Sequence, residues 1–276
     1  MKSFHRRTAR PAPTPAKERV AAERNGLMRA DSLLVAQGLA PSRTAAQLLI
    51  EAGRVSWEGG PVTKSAQTLS GEVALEVRPD ESDRFVSRGG LKLAGALTAS
   101  GLGVSGLNCL DVGQSTGGFT DCLLQAGAKQ VVGVEVGHGQ IHPKLAADAR
   151  CITLEGVNAR HLLAADLGER FPPGGFGLIV CDASFISLTL LLPQWPALLA
   201  RQGSILALVK PQFEVGPKGL SKGGIVRDTN LYADVESRLR DSARSCGLSV
   251  RGWYDSPITG TDGNREFFIW MQHEQH

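Results

Sequence analysis

The sequence lacks an uninterrupted apolar segment long enough to cross a bilayer. Its longest apolar stretch, residues 188–200, is broken by Pro193, Gln194 and Pro196, whereas a spanning helix needs roughly 18 or more apolar residues. We therefore expect a chain with no membrane role. Apolar residues make up 42% of the chain and charged residues 21%, which is ordinary for a globular protein.

The cysteines form no recognisable ligand or redox motif. The chain has no CxxC pair, and no histidine stands near a cysteine at metal-ligand spacing. Buried thiols in a reducing compartment are the simplest interpretation, so we predict a cytoplasmic protein with no metal site. The thiols are those of Cys109, Cys122, Cys151, Cys181 and Cys246.

The chain also lacks a strong net charge: its formal net charge at pH 7 is only +3. Its distribution is uneven: residues 1–26 carry seven Lys or Arg against two Glu, which is +5 and leaves −2 for the rest. A basic segment rich in Pro and Ala buries too little apolar surface to order itself, so residues 1–26 predict a disordered arm. Contact with nucleic-acid phosphates, organelle targeting and no function at all stay open for this arm.

Residues 27–79 predict a small α+β domain. Residues 29–38 and 42–53 have helical apolar spacing, and residues 54–63 and 72–79 are strand-like. The segment resembles the S4 RNA-binding domain through Asp31 in the first helix, the pair Ser42-Arg43 that opens the second, and "AGRV" at the entry to the strands. Ser42 is also the expected N-cap of that second helix. The resemblance implies binding to structured RNA.

Four cations of this domain are candidate RNA contacts. Their spacing allows a shared basic face, although an ordinary solvated surface explains them equally well. They are Arg29, Arg43, Arg54 and Lys64.

After a linker, residues 80–90, the pattern changes to that of an α/β domain, residues 91–276. Continuous apolar strands alternate with helical segments, which indicates a largely parallel sheet covered on both faces. Only "ITGTDGN" joins the last two strands, and this is too short for a parallel crossover. We therefore predict a Rossmann-like sheet of seven strands with the last strand antiparallel.

The loop after the first strand of this sheet, "LDVGQSTGGFTD", predicts a ligand site. Gly113, Gly117 and Gly118 permit a tight turn and close approach of the backbone, and Ser115 or Thr116 can cap the following helix. In a doubly wound sheet this first turn binds nucleotide-like ligands. The alternative is that the glycines serve chain packing alone.

Acidic residues on either side of the loop indicate which ligand the loop binds. The second strand ends at Glu135, where a carboxylate accepts hydrogen bonds from ribose hydroxyls, and Asp111 precedes the loop. Negative charge beside the site would repel a phosphate and attract a sulfonium. The pattern therefore favours S-adenosylmethionine as cofactor over NAD or ATP.

Three charged residues should meet at the carboxyl edge of the sheet. Asp182 and Lys210 each follow a strand, and Glu266 begins the antiparallel one. Taken singly, Asp182 could cap an apolar helix that starts near Phe185, Lys210 could end a strand, and Glu266 could pair with a cation. Together they suit methyl transfer to a hydroxyl, with Lys210 either as general base or as an orienting group.

Residues 84–271 resemble the TlyA (haemolysin A) family of ribosomal RNA ribose methyltransferases, which is related to the FtsJ-type 2′-O-methyltransferases. The matching stretches are "VSRGGLKL", "LDVGQSTGGFTDCLLQ", "DASFISL", "LVKPQFE", "KGGIVRD" and "SPITGTDGNREF". The resemblance implies methylation of ribose 2′-hydroxyls, with cytidine targets in the ribosomal RNA of assembled subunits. It also implies a catalytic Lys-Asp-Lys-Glu tetrad at Lys92, Asp182, Lys210 and Glu266.

The remaining candidates complete the predicted sites. Phe119, Asn158 and Asp182 join the cofactor contacts, and Arg88, Lys218 and Lys222 join the RNA contacts. Residues 211–228, which contain both of these lysines, are either a mobile lid or a plain surface connection. Two other functions stay open: an RNA-binding assembly factor without catalysis, and a haemolysin.

Overall fold

A computed structural model describes residues 26–274, and it describes residues 81 and 82 by their backbone alone. The predicted basic arm, apart from its last residue, lies outside the described residues. The chain divides into two compact units between Pro79 and Asp80.

The first unit packs two helices against short strands. Ser42 caps the second helix as the sequence indicated, because its hydroxyl accepts a hydrogen bond from Ala45 N at 3.2 Å. Leu33, Leu34 and Ile50 are buried where the two helices meet the strands. One small sheet pairs β1 with β4, and the other has the order β3-β2-β5. The elements are β1 Leu27–Arg29, α1 Ala30–Ala36, α2 Arg43–Glu51, β2 Val55–Trp57, β3 Gly60–Pro61, β4 Thr68–Ser70 and β5 Glu76–Val77.

The second unit is built on the seven-stranded sheet that the sequence predicts. Its strands are β6 Asn108–Val112, β7 Gln130–Glu135, β8 Cys151–Glu155, β9 Phe176–Cys181, β10 Leu199–Val209, β11 Leu248–Asp255 and β12 Phe267–His273. Their order is β11-β12-β10-β9-β6-β7-β8. β12 runs antiparallel to both of its neighbours, whereas β10, β9, β6, β7 and β8 pair in parallel. The predicted fold class is confirmed.

Helices cover both faces of this sheet. Successive residues of β9 alternate between two cores: Leu178 packs with Leu93 and Phe119, and Ile179 packs with Leu239. The helices are α3 Gly89–Ser100, α4 Gly118–Gln125, α5 Pro143–Ala146, α6 Ala164–Leu167, α7 Pro211–Glu214 and α8 Asn230–Ser245. Across residues 26–274, none of the helices combines the length and apolar character that a bilayer crossing requires.

The segment after β9 is not the apolar helix that the sequence suggested. Phe185 has a left-handed backbone, with φ of 63°, which interrupts any right-handed helix at that point. Further on, Leu188 N donates to the Glu214 carboxylate at 2.8 Å instead of to a carbonyl one helical turn earlier. Two short 3-10 turns, Leu188–Leu190 and Leu192–Gln194, follow. The prediction that Asp182 could cap an α-helix is therefore wrong.

Candidate active site

Four charged side chains meet at the carboxyl edge of the sheet as two ion pairs. Lys210 Nζ lies 2.6 Å from Asp182 Oδ1, and Lys92 Nζ lies 2.6 Å from Glu266 Oε2. Asp182 and Lys210 directly follow β9 and β10, Glu266 directly precedes β12, and Lys92 comes from α3. The structure thus brings together the three residues that topology grouped and the fourth that came from the family resemblance.

The two carboxylates differ in their access to solvent. The side chains of Lys92 and Lys210 are 11% and 12% exposed, whereas those of Glu266 and Asp182 are 2% and 23% exposed. Burial raises the pKa of Glu266 above its ordinary value, although the neighbouring Lys92 acts in the opposite direction. Both lysines nevertheless line cavities beside the tetrad, so the difference in exposure lies in the two carboxylates and not in the two lysines.

Lys210 has a further partner in Ser184, whose Oγ accepts from Lys210 Nζ at 2.8 Å. A lysine ammonium carries three donors. Asp182 and Ser184 occupy two of them, so the third can serve a ligand. Sequence spacing did not single out Ser184, although it lies two residues after Asp182 in the stretch "DASFISL".

Three neighbouring cavities open beside these residues, and Ser184 lines all of them. The central cavity, 390 Å³, contains Lys92, Asp182 and Lys210 in its wall. The apolar cavity, 310 Å³, adjoins it at Asp182 and runs along the ends of β6 and β7. The outer cavity, 460 Å³, shares both lysines with the central one. Each is large enough for part of a nucleotide-sized ligand.

Most predicted cofactor contacts line the first two cavities. Gly113, Ser115, Thr116, Gly118, Phe119 and Asp182 line the central cavity. Gly113, Ser115, Glu135, Asn158 and Asp182 line the apolar cavity. The Glu135 carboxylate accepts hydrogen bonds from Ser115 N at 2.9 Å and Gly137 N at 2.8 Å, which fixes it at the cavity wall.

The glycines of the loop have two different roles. A Cβ on Gly113, whose φ is +83°, would lie 3.0 Å from the carbonyl oxygen of Asp182, so the close approach of the two strand ends needs glycine there. A Cβ on Gly117 would instead collide with Leu145 and Ile141. Gly117 lines none of the three cavities, and packing is its evident role. The expected cap is also absent from α4, because its N-cap is Gly117 and no side chain caps it.

Asp111 does not line the ligand site, contrary to the prediction from its place before the loop. It is fully buried, lines none of the three cavities, and accepts a hydrogen bond from Thr120 Oγ1 at 2.7 Å. Burial, with the charges of Asp182 and Glu135 adding to it, raises the pKa of Asp111 to about 7. Asp182 and Glu135, which line the cavities, are therefore the acidic groups beside the site, and Asp111 is a support beneath the loop.

The outer cavity holds an exposed aromatic residue that the sequence did not reveal. Phe185 is 90% exposed, and its ring centroid lies 5.1 Å from that of Phe213. A left-handed backbone at a bulky residue is costly and is retained mainly at functional sites. Apolar side chains in "DASFISL" read equally well as core, which is why periodicity could not identify Phe185.

Six of the seven predicted RNA-contacting residues are on the surface. Arg29 and Arg43 both pair with buried Asp31, at 2.8 Å and 3.0 Å, and keep 41% and 58% of their side chains exposed. The surface residues are Arg29, Arg43, Lys64, Arg88, Lys218 and Lys222, although Arg29 is only half-exposed.

Arg54 is the exception among these predicted contacts. It is buried, and its Nε donates to the carbonyl of Arg78 at 2.9 Å, so it holds strand ends together inside the first unit. A guanidinium in that position cannot belong to an exposed basic face.

Comparison with protein families separates the same two parts of the chain. The family model for FtsJ-like methyltransferase matches residues 85–273, and the model for the S4 domain matches residues 28–74.

Individual relatives cover nearly the whole chain. The 16S/23S rRNA (cytidine-2′-O)-methyltransferase TlyA of Mycobacterium tuberculosis is 43% identical over 88% of this chain and 89% of its own length. Hemolysin A of Brachyspira hyodysenteriae is 38% identical over 87% of this chain and 98% of its own. A solved structure named as a hemolysin, from Streptococcus thermophilus, superposes with a TM-score of 0.71 at 37% identity, covering 91% of this chain and 90% of that one.

Proposed function

The chain belongs to the FtsJ-like methyltransferase family and, with an S4 domain in front, to the TlyA group within it, and from this premise we propose its reaction. The proposed reaction is transfer of a methyl group from S-adenosylmethionine to a ribose 2′-hydroxyl of ribosomal RNA. Cytidine in a ribosomal subunit is the expected target, because the Mycobacterium relative is named for that nucleoside.

The apolar cavity fits the cofactor. Val136, Val157 and Ile186 offer apolar surface for an adenine ring, and Glu135 can accept from ribose hydroxyls at the end of β7. Asp182 and the loop from Gly113 would hold the amino-acid end, since Gly113, Ser115 and Asp182 line both the apolar and the central cavity. When bound, S-adenosylmethionine supplies an electrophilic methyl group on a positively charged sulfur.

Lys210 is the residue proposed to act on the substrate hydroxyl. Asp182 and Ser184 hold its ammonium group at 2.6 Å and 2.8 Å, so its remaining donor has a fixed direction into the cleft. A ribose hydroxyl held in line with the methyl group needs an orienting partner and, as it reacts, a path for its proton. Lys92, paired with Glu266, lines the same two cavities as Lys210 and would help to keep that arrangement rigid. This pairing of two lysines with two acids is the observation that supports the reaction.

The first unit is proposed to bind RNA. Its fixed arginines, Arg29 and Arg43, and exposed Lys64 would contact phosphates, and Arg88, Lys218 and Lys222 would do the same in the second unit. Phe185 offers a flat apolar ring beside the outer cavity on which an unstacked base could lie.

A methyl-labelling assay tests the reaction. Purified protein is incubated with labelled S-adenosylmethionine and ribosomal subunits. The labelled nucleotide is then located by alkaline hydrolysis of the RNA, because a 2′-O-methyl group blocks cleavage of the following phosphodiester bond. We expect Lys210→Met to lower the rate by about 10³-fold. Lys129→Met, which removes an exposed lysine that lines none of the three cavities, is the matched control.

The same assay separates catalysis from binding alone. An assembly factor would bind subunits tightly yet leave them unlabelled, and its binding would survive Lys210→Met. Absence of label with the wild-type protein on every subunit preparation would contradict the proposed reaction.

A further inference from the structure

The segment after Asp182, residues 183–187, is held at both ends by one short stretch of chain. At its near end, Asp182 pairs with Lys210 at 2.6 Å. At its far end, the Glu214 carboxylate accepts from Ser187 Oγ at 2.6 Å and from Leu188 N at 2.8 Å. Lys210 and Glu214 are four residues apart, at the end of β10 and in α7, so a single rigid piece sets both anchors.

Glu214 acts on this segment rather than on any ligand. It is 7% exposed and lines none of the three cavities beside the tetrad. Its carbonyl oxygen accepts from Arg238 Nη2 of α8 at 2.6 Å, which fixes α7 from the other side. A buried carboxylate with two donors on one loop is a strong local clamp, because charge-assisted hydrogen bonds are stronger than neutral ones.

Between the two anchors lie the residues that face the cleft. Ser184 and Phe185 are exposed, and the left-handed backbone of Phe185 would relax if the segment were free at one end. In this shape of the segment, Ser184 Oγ accepts from Lys210 Nζ at 2.8 Å. We propose that Glu214 is a positioning residue: acting through Ser187, it holds Ser184 against Lys210. The inference rests on the proposed methyl transfer.

Glu214→Gln is the first test, because glutamine keeps the size of the side chain and removes its charge. We expect kcat for methyl transfer to fall by about 10-fold to 100-fold, since small misplacements of a positioned group have effects of that order. Binding of S-adenosylmethionine, measured by calorimetry, should weaken by a smaller factor than kcat falls, because Ile186 of the segment lines the apolar cavity but Glu135 and Asn158 lie outside the segment. Glu236→Gln is the matched control: Glu236 pairs with Arg240 at 2.7 Å and touches nothing in the segment.

A double-variant cycle distinguishes positioning from general support of the fold. Glu214 and Ser184 share no hydrogen bond, so a merely structural role predicts that their effects on kcat multiply. If Glu214 acts through Ser184, Ser184→Ala lowers kcat by about tenfold in the wild type and has little further effect in Glu214→Gln. If the loss of kcat in the double variant equals the product of the two single losses, the inference is overturned.

Ser187→Ala repeats the cycle with a smaller change, in case Glu214→Gln fails to fold. It removes the hydroxyl contact with Glu214 and leaves the Leu188 contact. We again expect kcat to fall, and we expect Ser184→Ala to have little further effect on kcat in the Ser187→Ala variant. A wild-type protein that transfers no methyl group would overturn this inference together with the proposed function. A wild type that transfers methyl groups, beside Glu214→Gln and Ser187→Ala variants with unchanged kcat, would overturn the positioning role alone.

Discussion

Asp31 in the first unit and Glu266 in the second are both buried carboxylates that pair with cations, but their partners differ in exposure. Arg29 and Arg43, the partners of Asp31, keep 41% and 58% of their side chains exposed. Lys92, the partner of Glu266, keeps 11%. The first carboxylate therefore fixes two cations that stay accessible to solvent, and the second fixes a cation that solvent barely reaches.

The pKa values of the two carboxylates move in opposite directions. Burial alone would raise the pKa of Asp31, but hydrogen bonds from Arg29, Gln47 and Arg43 outweigh it and hold the pKa well below the usual range. At Glu266, burial outweighs Lys92 and the pKa is raised. Three side chains donate hydrogen bonds to Asp31, whereas at Glu266 the charges of Lys92 and Lys210 offset burial only in part. Glu266 therefore depends mainly on Lys92.

Lys92→Met tests that dependence and should have the largest effect. It leaves Glu266 buried without its cation, which typically costs about 4 kcal/mol of unfolding free energy at neutral pH. Removal of Lys92 raises the pKa of Glu266 further, and a raised folded pKa means that stability is lost as pH rises above the unfolded value. In denaturant unfolding, the variant should therefore lose more unfolding free energy, relative to the wild type, at pH 8 than at pH 5. This loss is called the deficit below.

The double variant Lys92→Met, Glu266→Gln is the control for this deficit. It should recover most of the stability at pH 8, because no buried charge is left, while methyl transfer stays low. A deficit in Lys92→Met that does not change with pH would show that packing, not the charge of Glu266, is responsible.

Asp111→Asn extends the comparison to a carboxylate with one neutral donor. Burial raises the pKa of Asp111 to about 7, so its ionisation opposes folding increasingly from about pH 4 to pH 7. The amide cannot ionise, and we expect it to raise the unfolding free energy by about 3 kcal/mol at pH 8 and by much less at pH 5. Equal effects at both pH values would contradict an elevated pKa.

Asp31→Asn should act in the opposite direction on stability. We expect a loss of about 2 kcal/mol at pH 7, moderated because water can solvate the half-exposed arginines. Since the folded pKa is depressed, the contribution of Asp31 is present above the unfolded pKa and is lost as pH falls below about 4. The difference between variant and wild type should therefore shrink in acid. Glu51→Gln, an exposed position on α2, should show no such difference.

The sequence predicted the sheet well because its information is local and periodic. Apolar runs ending in charged residues identified β9 and β10, and the seven-residue connection "ITGTDGN" required an antiparallel last strand. Strand topology then placed Asp182, Lys210 and Glu266 at one edge without any alignment. Lys92 lies on a helix outside the sheet, and only family resemblance pointed to it.

The failures arose where one segment depends on a distant one. The run after Asp182 has helical apolarity, but Glu214 takes the Leu188 N–H and Phe185 adopts a left-handed backbone. The position of Asp111 in the sequence would be the same if it faced a ligand instead of Thr120. Likewise, the sequence shows that Arg54 is charged but not that it is buried. In a strand that is buried on both faces, spacing alone does not show which face a single polar residue occupies.

Arg43→Met and Lys64→Met give the finest test of the comparison, since each removes one exposed cation from the first unit. Arg43 is held by Asp31 at 3.0 Å, so less entropy is lost when it meets a phosphate, whereas a solvated lysine must be ordered on binding. We expect Arg43→Met to weaken binding to ribosomal subunits about fivefold and Lys64→Met about twofold. If both contact phosphates, each should lower the slope of log affinity against log salt by about 1. Equal losses of affinity with equal slopes would show that Asp31 contributes charge neutralisation to the fold and nothing to RNA recognition.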